Sequence, residues 1–295
     1  MIDLKYLFQN FFVNKFELKY AKRIAADILH VKALRNDEFG RAIEYNFFFL
    51  SHLISSEQIA GLKRQRFANP IFVGKNKQEG IDFTEVDFFD KLSTVVDPGI
   101  YLHPDLSNIL SALGHNQVLT GIIGSPADLL EVYSKECLQF LLGGKGRRYG
   151  KERSFESLPD GAILGRDVTI LFDAKAYKDG FNPSADDLKR FENYIKDFNK
   201  KYEQFAQKVY CFIVISGHFQ VGVDALNDRS RELYEMCQTA LVFVSSEVLS
   251  QLVELAIKNA TLIHSFNWKR IFSNPVTNAK NLFEQIEKIK KDRIL

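Results

Sequence analysis

Apolar and polar positions follow two styles along the chain. Up to about residue 95 the apolar residues come in aromatic-rich clusters, YLFQNFFVNKF and EYNFFFLSHLI, whose spacing predicts a mainly helical N-terminal region. VVDPGIYLHPD, residues 95–105, gathers Pro, Gly and Asp and predicts a boundary, which divides the chain into 1–105 and 106–295. Beyond it the pattern becomes α/β. Ser125, Pro126 and Asp128 form an N-cap, a first-turn proline and an acid, so a helix is expected from 126 to 142, ending at Gly143-Gly144. LPDGAILGRDVTILFDAKAY, residues 158–177, reads as a hairpin, and Ser184 to Asp187 is a second capping box opening a helix with Leu188, Phe191, Ile195 and Phe198 on one face. VYCFIVIS (209–216) and ALVFVS (240–245) are apolar runs of the kind found in sheets covered on both faces, with a helical segment near 228–238 between them. Helices are expected at 246–259 and in the terminal NAKNLFEQIEKIKKDRI, and no internal repeat is visible.

Composition narrows the class without naming a function. The 295 residues can bury a full core without disulfide or structural metal. Three widely spaced cysteines, Cys137, Cys211 and Cys237, form neither a disulfide framework nor a zinc pattern, which points to a reducing, cytoplasmic setting. No window approaches the ~18 uninterrupted apolar residues of a spanning helix, so no membrane role is expected. The net charge of +2 is too small to suggest a nucleic-acid coat protein and leaves room for a local basic groove. LKRQRF, residues 62–67, reads either as a phosphate contact or as a solvated helix face, the latter being the commoner case.

The chemistry concentrates in the hairpin. A two-residue turn at Gly165-Arg166 sets Leu164 opposite Asp167 and Leu158 opposite Asp173, and period-two alternation puts Asp160, Asp173 and Lys175 on one face with Ala174 pointing away. Asp160 and Asp173 become diagonal neighbours roughly 7 to 8 Å apart at the backbone. Two converging carboxylates repel, so one takes up a proton or a cation sits between them; oxygen-only ligation favours Mg²⁺, with Mn²⁺ able to substitute. On the preceding helix, at 100° per residue, Glu136 falls between Leu129, Val132 and Phe140 on the expected buried stripe. It reads equally as a metal ligand and as a boundary residue, while Glu131 falls on the opposite side.

PDGAI, DAKAY with its DGFN turn, SADDLKRF, ISGHF and ALVFVSSEVL, in that order, resemble the cleavage domain of FokI-type Type IIS restriction endonucleases, within the PD-(D/E)xK nuclease superfamily; the resemblance is clearest over residues 120–255. It implies an α/β fold with a restriction-endonuclease-like core, a mixed central sheet flanked by helices, and Mg²⁺-dependent hydrolysis of phosphodiester bonds in double-stranded DNA. Asp160, Asp173 and Lys175 match the family's catalytic positions, with Asp160 and Asp173 on the metal, and both Glu131 and Glu136 have plausible counterparts for the helix acid. The resemblance also implies a homodimer during cleavage, with Asp186 and Arg190 at its interface; the alternative is an intrahelical i,i+4 pair.

GGKGRRYGKER, residues 143–153, reads as a basic loop beside the site, with Lys145, Arg147 and Arg148 as DNA contacts; it is no P-loop. His218 reads as a structural histidine. The expectation is a restriction endonuclease or its cleavage subunit, whose N-terminal region contacts DNA or whose specificity comes from a separate subunit. The rival readings are a repair or structure-selective nuclease on the same core and a catalytically silent DNA-binding or dimerisation subunit.

Overall fold

The structure, a computed structural model, describes residues 2–37, 39–51, 54–96, 102–150, 158–205 and 208–294. The chain divides into two compact units, Met1–Gly99 with Lys201–Ala206, and Ile100–Lys200 with Gln207–Leu295. Of the expected boundary stretch, residues 97–101 lie outside the described residues, as do 151–153 of the basic segment. No helix among the described residues is long and apolar enough to cross a membrane.

The N-terminal unit is built on a sheet, which corrects the expectation of a mainly helical region. After α1 (Leu4–Val13) come β1 (Glu17–Ala25), β2 (Ile28–Asn36), β3 (Ala42–Leu50), α2 (Ser56–Lys63), β4 (Pro70–Gly74), β5 (Phe83–Thr84) and α3 (Glu85–Val96). The sheet order is β1-β2-β3-β4-β5, with β1, β2 and β3 antiparallel and β4 and β5 joined in parallel. YLFQNFFV does form a helix, whereas AIEYNFFFL is the central strand β3. Its Phe47 and Phe49 meet Phe11 of α1 and Phe88 of α3, while Phe48 and Leu50 pack with Ile59 and Leu62 of α2. A strand covered on both faces loses its polar alternation, and an uninterrupted apolar run cannot be told from a buried helix by periodicity.

The C-terminal unit contains α4 (Leu106–Gly114), α5 (Pro126–Leu142), β6 (Lys145–Arg148), β7 (Gly161–Leu164), β8 (Thr169–Lys175), α6 (Ala185–Tyr202, its last two residues in the other unit), β9 (Val209–Ser216), α7 (Val223–Cys237), β10 (Ala240–Ser245), α8 (Ser246–Lys258), α9 (Trp268–Ile271) and α10 (Lys280–Ile294). Its sheet order is β10-β9-β8-β7-β6; β6, β7 and β8 are antiparallel, and β9 and β10 are parallel to β8. The caps behave as the sequence predicts. Ser125 accepts the Asp128 N–H at the start of α5, Gly143 closes it at φ 54°, and Ser184 and Asp187 exchange hydrogen bonds at the start of α6. Ile170, Phe172 and Ala174 of β8 join the apolar cluster of α5 and α8, and on the other face Phe191 of α6 stacks on Phe212 of β9.

The two units repeat one topology that the sequence does not display. Each runs helix, three antiparallel strands, crossover helix and two further parallel strands, in the same spatial order, the C-terminal unit adding α4 before this series and α7 between its last two strands. Each places the helix that leads into its first strand, α1 or α5, on one face of the sheet and its crossover helix on the other.

The β7–β8 register departs from the expected turn by two. Gly161 pairs with Phe172 and Leu164 with Thr169, and the Gly165 N–H donates to the Val168 carbonyl at 2.8 Å, so the turn residues are Arg166 and Asp167. Gly165 has no positive φ; a Cβ there would lie 2.8 Å from the Val168 carbonyl oxygen and 3.2 Å from Leu142 Cβ, so close packing explains the glycine. A shift of two preserves the face of every side chain. At Gly161 a Cβ would lie 2.5 Å from the Phe172 ring and 2.7 Å from the Arg147 carbonyl oxygen. Gly161→Ala is therefore expected to cost about 1–3 kcal/mol through overpacking. A thermal midpoint equal to that of the wild type would refute this account of the strand.

Candidate active site

Extending the β7–β8 register by one step sets Asp160 directly opposite Asp173, closer than the diagonal placement the sequence suggested. The Asp160 N–H donates to Asp173 Oδ1 at 3.0 Å, and the Ala174 N–H donates to Asp160 Oδ2 at 2.7 Å. Lys175 Nζ donates to Asp173 Oδ2 at 2.8 Å, with the two side chains only 16 and 3% exposed. Asp173 and Lys175 thus share a face, and Ala174 turns into the apolar cluster behind it. Neighbouring backbone fixes the frame: the Tyr149 N–H donates to the Asp160 carbonyl and Ser216 Oγ to the Lys175 carbonyl. Tyr149 and Ser216 were not singled out from sequence. Only the position of Ser216 at the end of an apolar strand hinted at a polar task.

Burial, then the charge of Asp173, pushes the Asp160 carboxyl up to about 8; Lys175 and the Ala174 N–H oppose this and Glu131 adds to it. Burial would lower the Lys175 amine, but the charges of Asp173 and Asp160 and the hydrogen bond to Asp173 outweigh it, so the ammonium is held above its ordinary value. The pair therefore holds one proton near neutral pH, and full ionisation needs additional positive charge.

That requirement is the test of whether a divalent cation fits. Two facing carboxylates and no sulfur or imidazole make a hard-oxygen donor set of the kind that takes Mg²⁺ with several waters. No group of three or more His, Cys, Asp or Glu side chains among the described residues is arranged to hold a metal, so protein ligation would come from Asp160 and Asp173. The donor set fits Mg²⁺ or Mn²⁺ on charge and chemistry.

The helix acid nearest this pair is Glu131, and the placement of Glu136 on the buried stripe is corrected. The buried side of α5 is Leu130, Ser134, Cys137, Leu138 and Leu141, one residue out of step with the expected stripe. Glu131 flanks it, 14% exposed, pairs with Arg148 at 3.5 Å, and feels the charges of Asp173 and Lys175. Burial raises its carboxyl, and the charge of Arg148 works against that. Glu136 is also raised by burial, but its charged neighbour is Lys135, away from the aspartates.

The basic segment is a strand where a loop was expected. Lys145, Arg147 and Arg148 lie in β6; Arg147 is buried against the Tyr149 ring, and Arg148 reaches the Asp128 carbonyl and Glu131, so neither is presented as a free phosphate contact. Asp186 is exposed on α6, while Arg190 pairs with Asp187, so the i,i+4 pair is not formed. His218 is exposed, its ring stacked on His115 at 5.3 Å, and its carbonyl accepts the Phe181 N–H.

A pH dependence follows from Asp160. Its carboxyl binds a proton more tightly folded than unfolded, so the metal-free chain gains stability from it at low pH and loses that gain as pH rises from about 4 through about 8. Thermal midpoints measured in chelator across this window should fall relative to those of Asp160→Asn. Parallel pH profiles for the two proteins would overturn the assignment.

Residues 124–277 match the family model described as FokI, cleavage domain. Two solved structures are similar, the restriction endonuclease FokI and the same enzyme bound to DNA; each is 20% identical with a TM-score of 0.45 and covers 72% of this chain. The chain spans only 36 and 37% of those two chains. Among curated proteins nothing matches.

Proposed function

The chain belongs to the FokI cleavage-domain family of nucleases, and from that premise we propose that it is a Mg²⁺-dependent endodeoxyribonuclease, a Type II (Type IIS-like) restriction endonuclease or the cleavage subunit of one. The observation that carries the reading is the direct Asp160–Asp173 pair with Lys175 on the same face, inside the matched segment.

Asp160 and Asp173 would hold the cation, which when bound supplies charge neutralisation at the phosphate and a more acidic water. Lys175 stays an ammonium because the two carboxylates outweigh its burial. Its part is to orient the attacking water and offset phosphate charge, since a group held protonated is not a base. Glu131, its carboxyl raised by burial beside Arg148, would accept a hydrogen bond from water at the margin of the site. The Asp160 N–H and the Ala174 N–H fix the two carboxylates before substrate arrives, so little reorganisation remains for the reaction.

One such site cuts one strand, so duplex cleavage calls for two copies of the chain on double-stranded DNA. The exposed Asp186 and the neighbouring Arg190 on α6 are the proposed contact.

Plasmid nicking and linearisation with Mg²⁺ or with chelator test the reading. Asp173→Ala and Lys175→Ala should each lower the rate by about 10²–10³-fold or more. Glu131→Gln should lower it by about 10-fold or more, as loss of an orienting group does, while Glu136→Gln leaves it unchanged. Cleavage that survives Asp173→Ala or proceeds without a divalent cation would falsify the proposal.

A further inference from the structure

The N-terminal unit repeats the topology of the nuclease core, and the repeat is informative in what it lacks. In the C-terminal unit the reacting residues sit on the face covered by the crossover helix α6, where Asp173 and Lys175 alternate with Phe172 and Ala174. On the corresponding face of the N-terminal unit, covered by α2, the strand-end pair is Ile28 opposite Leu50, both buried in the apolar cluster with Phe48, Ile59 and Leu62. Among the described residues no two carboxylates face one another there: the next pair on that face is His30 opposite Phe48, with His30 bonded to Asn46, and Glu44 is paired with Lys32, so the face lacks the two-carboxylate arrangement that calls for a cation.

The segment that carries α2 and β4 holds a concentration of positive charge. From Gln58 to Gln78 the chain has Lys63, Arg64, Arg66, Lys75 and Lys77 and not one Asp or Glu, in a protein whose net charge is only +2. These residues are exposed, while their neighbours anchor the segment: Leu62 and Phe72 are buried, and Phe67 packs its ring on Phe48. The chain just past the second basic run returns to α2. A Cβ built at Gly80 would lie 2.9 Å from Ile59 and 3.8 Å from Lys63 Nζ, and Gln78 donates to the Ile54 carbonyl, so the stretch after β4 lies along the helix. Arg66 is held at φ 52° between the α2 C-cap and β4, a backbone conformation that L residues rarely adopt. That turn ends α2, as left-handed residues commonly end helices, while the acid-free run of exposed cations is what suits contact with phosphates.

We propose that the N-terminal unit is a second, non-cleaving copy of the nuclease core that binds the backbone of duplex DNA through Lys63, Arg64, Arg66, Lys75 and Lys77. The chemistry is electrostatic and independent of metal, and it stands apart from whether the C-terminal unit cuts.

The test uses the full chain carrying Asp173→Ala, with chelator present, and a fluorescein-labelled duplex whose anisotropy is followed against salt. Reversing Arg64 and Arg66 to Glu, or Lys75 and Lys77 to Glu, should weaken binding at least tenfold and reduce the slope of log affinity on log salt by about 2, as loss of two phosphate contacts requires. Lys22→Glu with Arg41→Glu makes the same charge change elsewhere in the unit and should leave affinity within about twofold. Equal weakening in control and test variants, or none in either, would overturn the proposal. Thermal melting establishes that each variant is folded. Because cutting is measured separately with metal, loss of nuclease activity in the wild type leaves this outcome readable.

Discussion

The structure turns on the pairing of two carboxylates across adjacent strands. Asp160 and Asp173 face each other because the β7–β8 register sets them there, and each is held by a backbone N–H of the other strand's neighbourhood. Like charges opposed in a sheet repel, so the surroundings must compensate. Lys175 does so in part through its short bond to Asp173, and a proton on Asp160 does the rest. The turn at Arg166–Asp167, the close packing at Gly161 and the parallel attachment of β9 all serve to keep that pairing in register.

The two units show what this pairing costs a fold. The N-terminal sheet has the same order and strand directions, and at the strand-end pair of its crossover-helix face it simply continues the core with Ile28 and Leu50. Burying apolar surface there stabilises by about 25 cal/mol per Å², whereas the aspartate pair sacrifices such packing and adds repulsion. The carboxylates in the C-terminal unit are thus a local departure from what stability alone favours, and departures of that kind mark chemistry.

Much of this was legible in the sequence, for identifiable reasons. The caps at Ser125 and Ser184 act through their own side chains within one turn, so local reading suffices. The common face of Asp160, Asp173 and Lys175 survived a misplaced turn because strand parity repeats every two residues and the register error was two. The faces of Glu131 and Glu136 were misplaced because Ser134 and Cys137 line the core side of α5, and a stripe drawn through the larger side chains Leu129, Val132 and Phe140 rotates the helix away from its true face. The N-terminal sheet was missed because β3 is buried on both sides, and β1 and β2 carry charges within their runs, so neither shows period-two alternation. The strand β6 was expected as a loop because GGKGRR is rich in glycine, yet its glycines permit close packing: a Cβ at Gly146 would meet Gln139 and Ile163 at 2.8 Å.

On the proposed reading, the charges at the site also bear on the substrate it would accept. With both aspartates ionised and Lys175 protonated, the three groups carry one net negative charge, and Glu131 is offset by Arg148. A phosphodiester, itself anionic, is repelled by that arrangement. A divalent cation reverses the sign to one net positive charge, and the phosphodiester then brings the site to neutrality. The same cation competes with the proton on Asp160, whose carboxyl is raised to about 8. On the proposed reading, metal occupancy and substrate acceptance would be linked through a single carboxylate, and Lys175, bonded to Asp173 here, would turn its charge toward the phosphate once the cation neutralises Asp173.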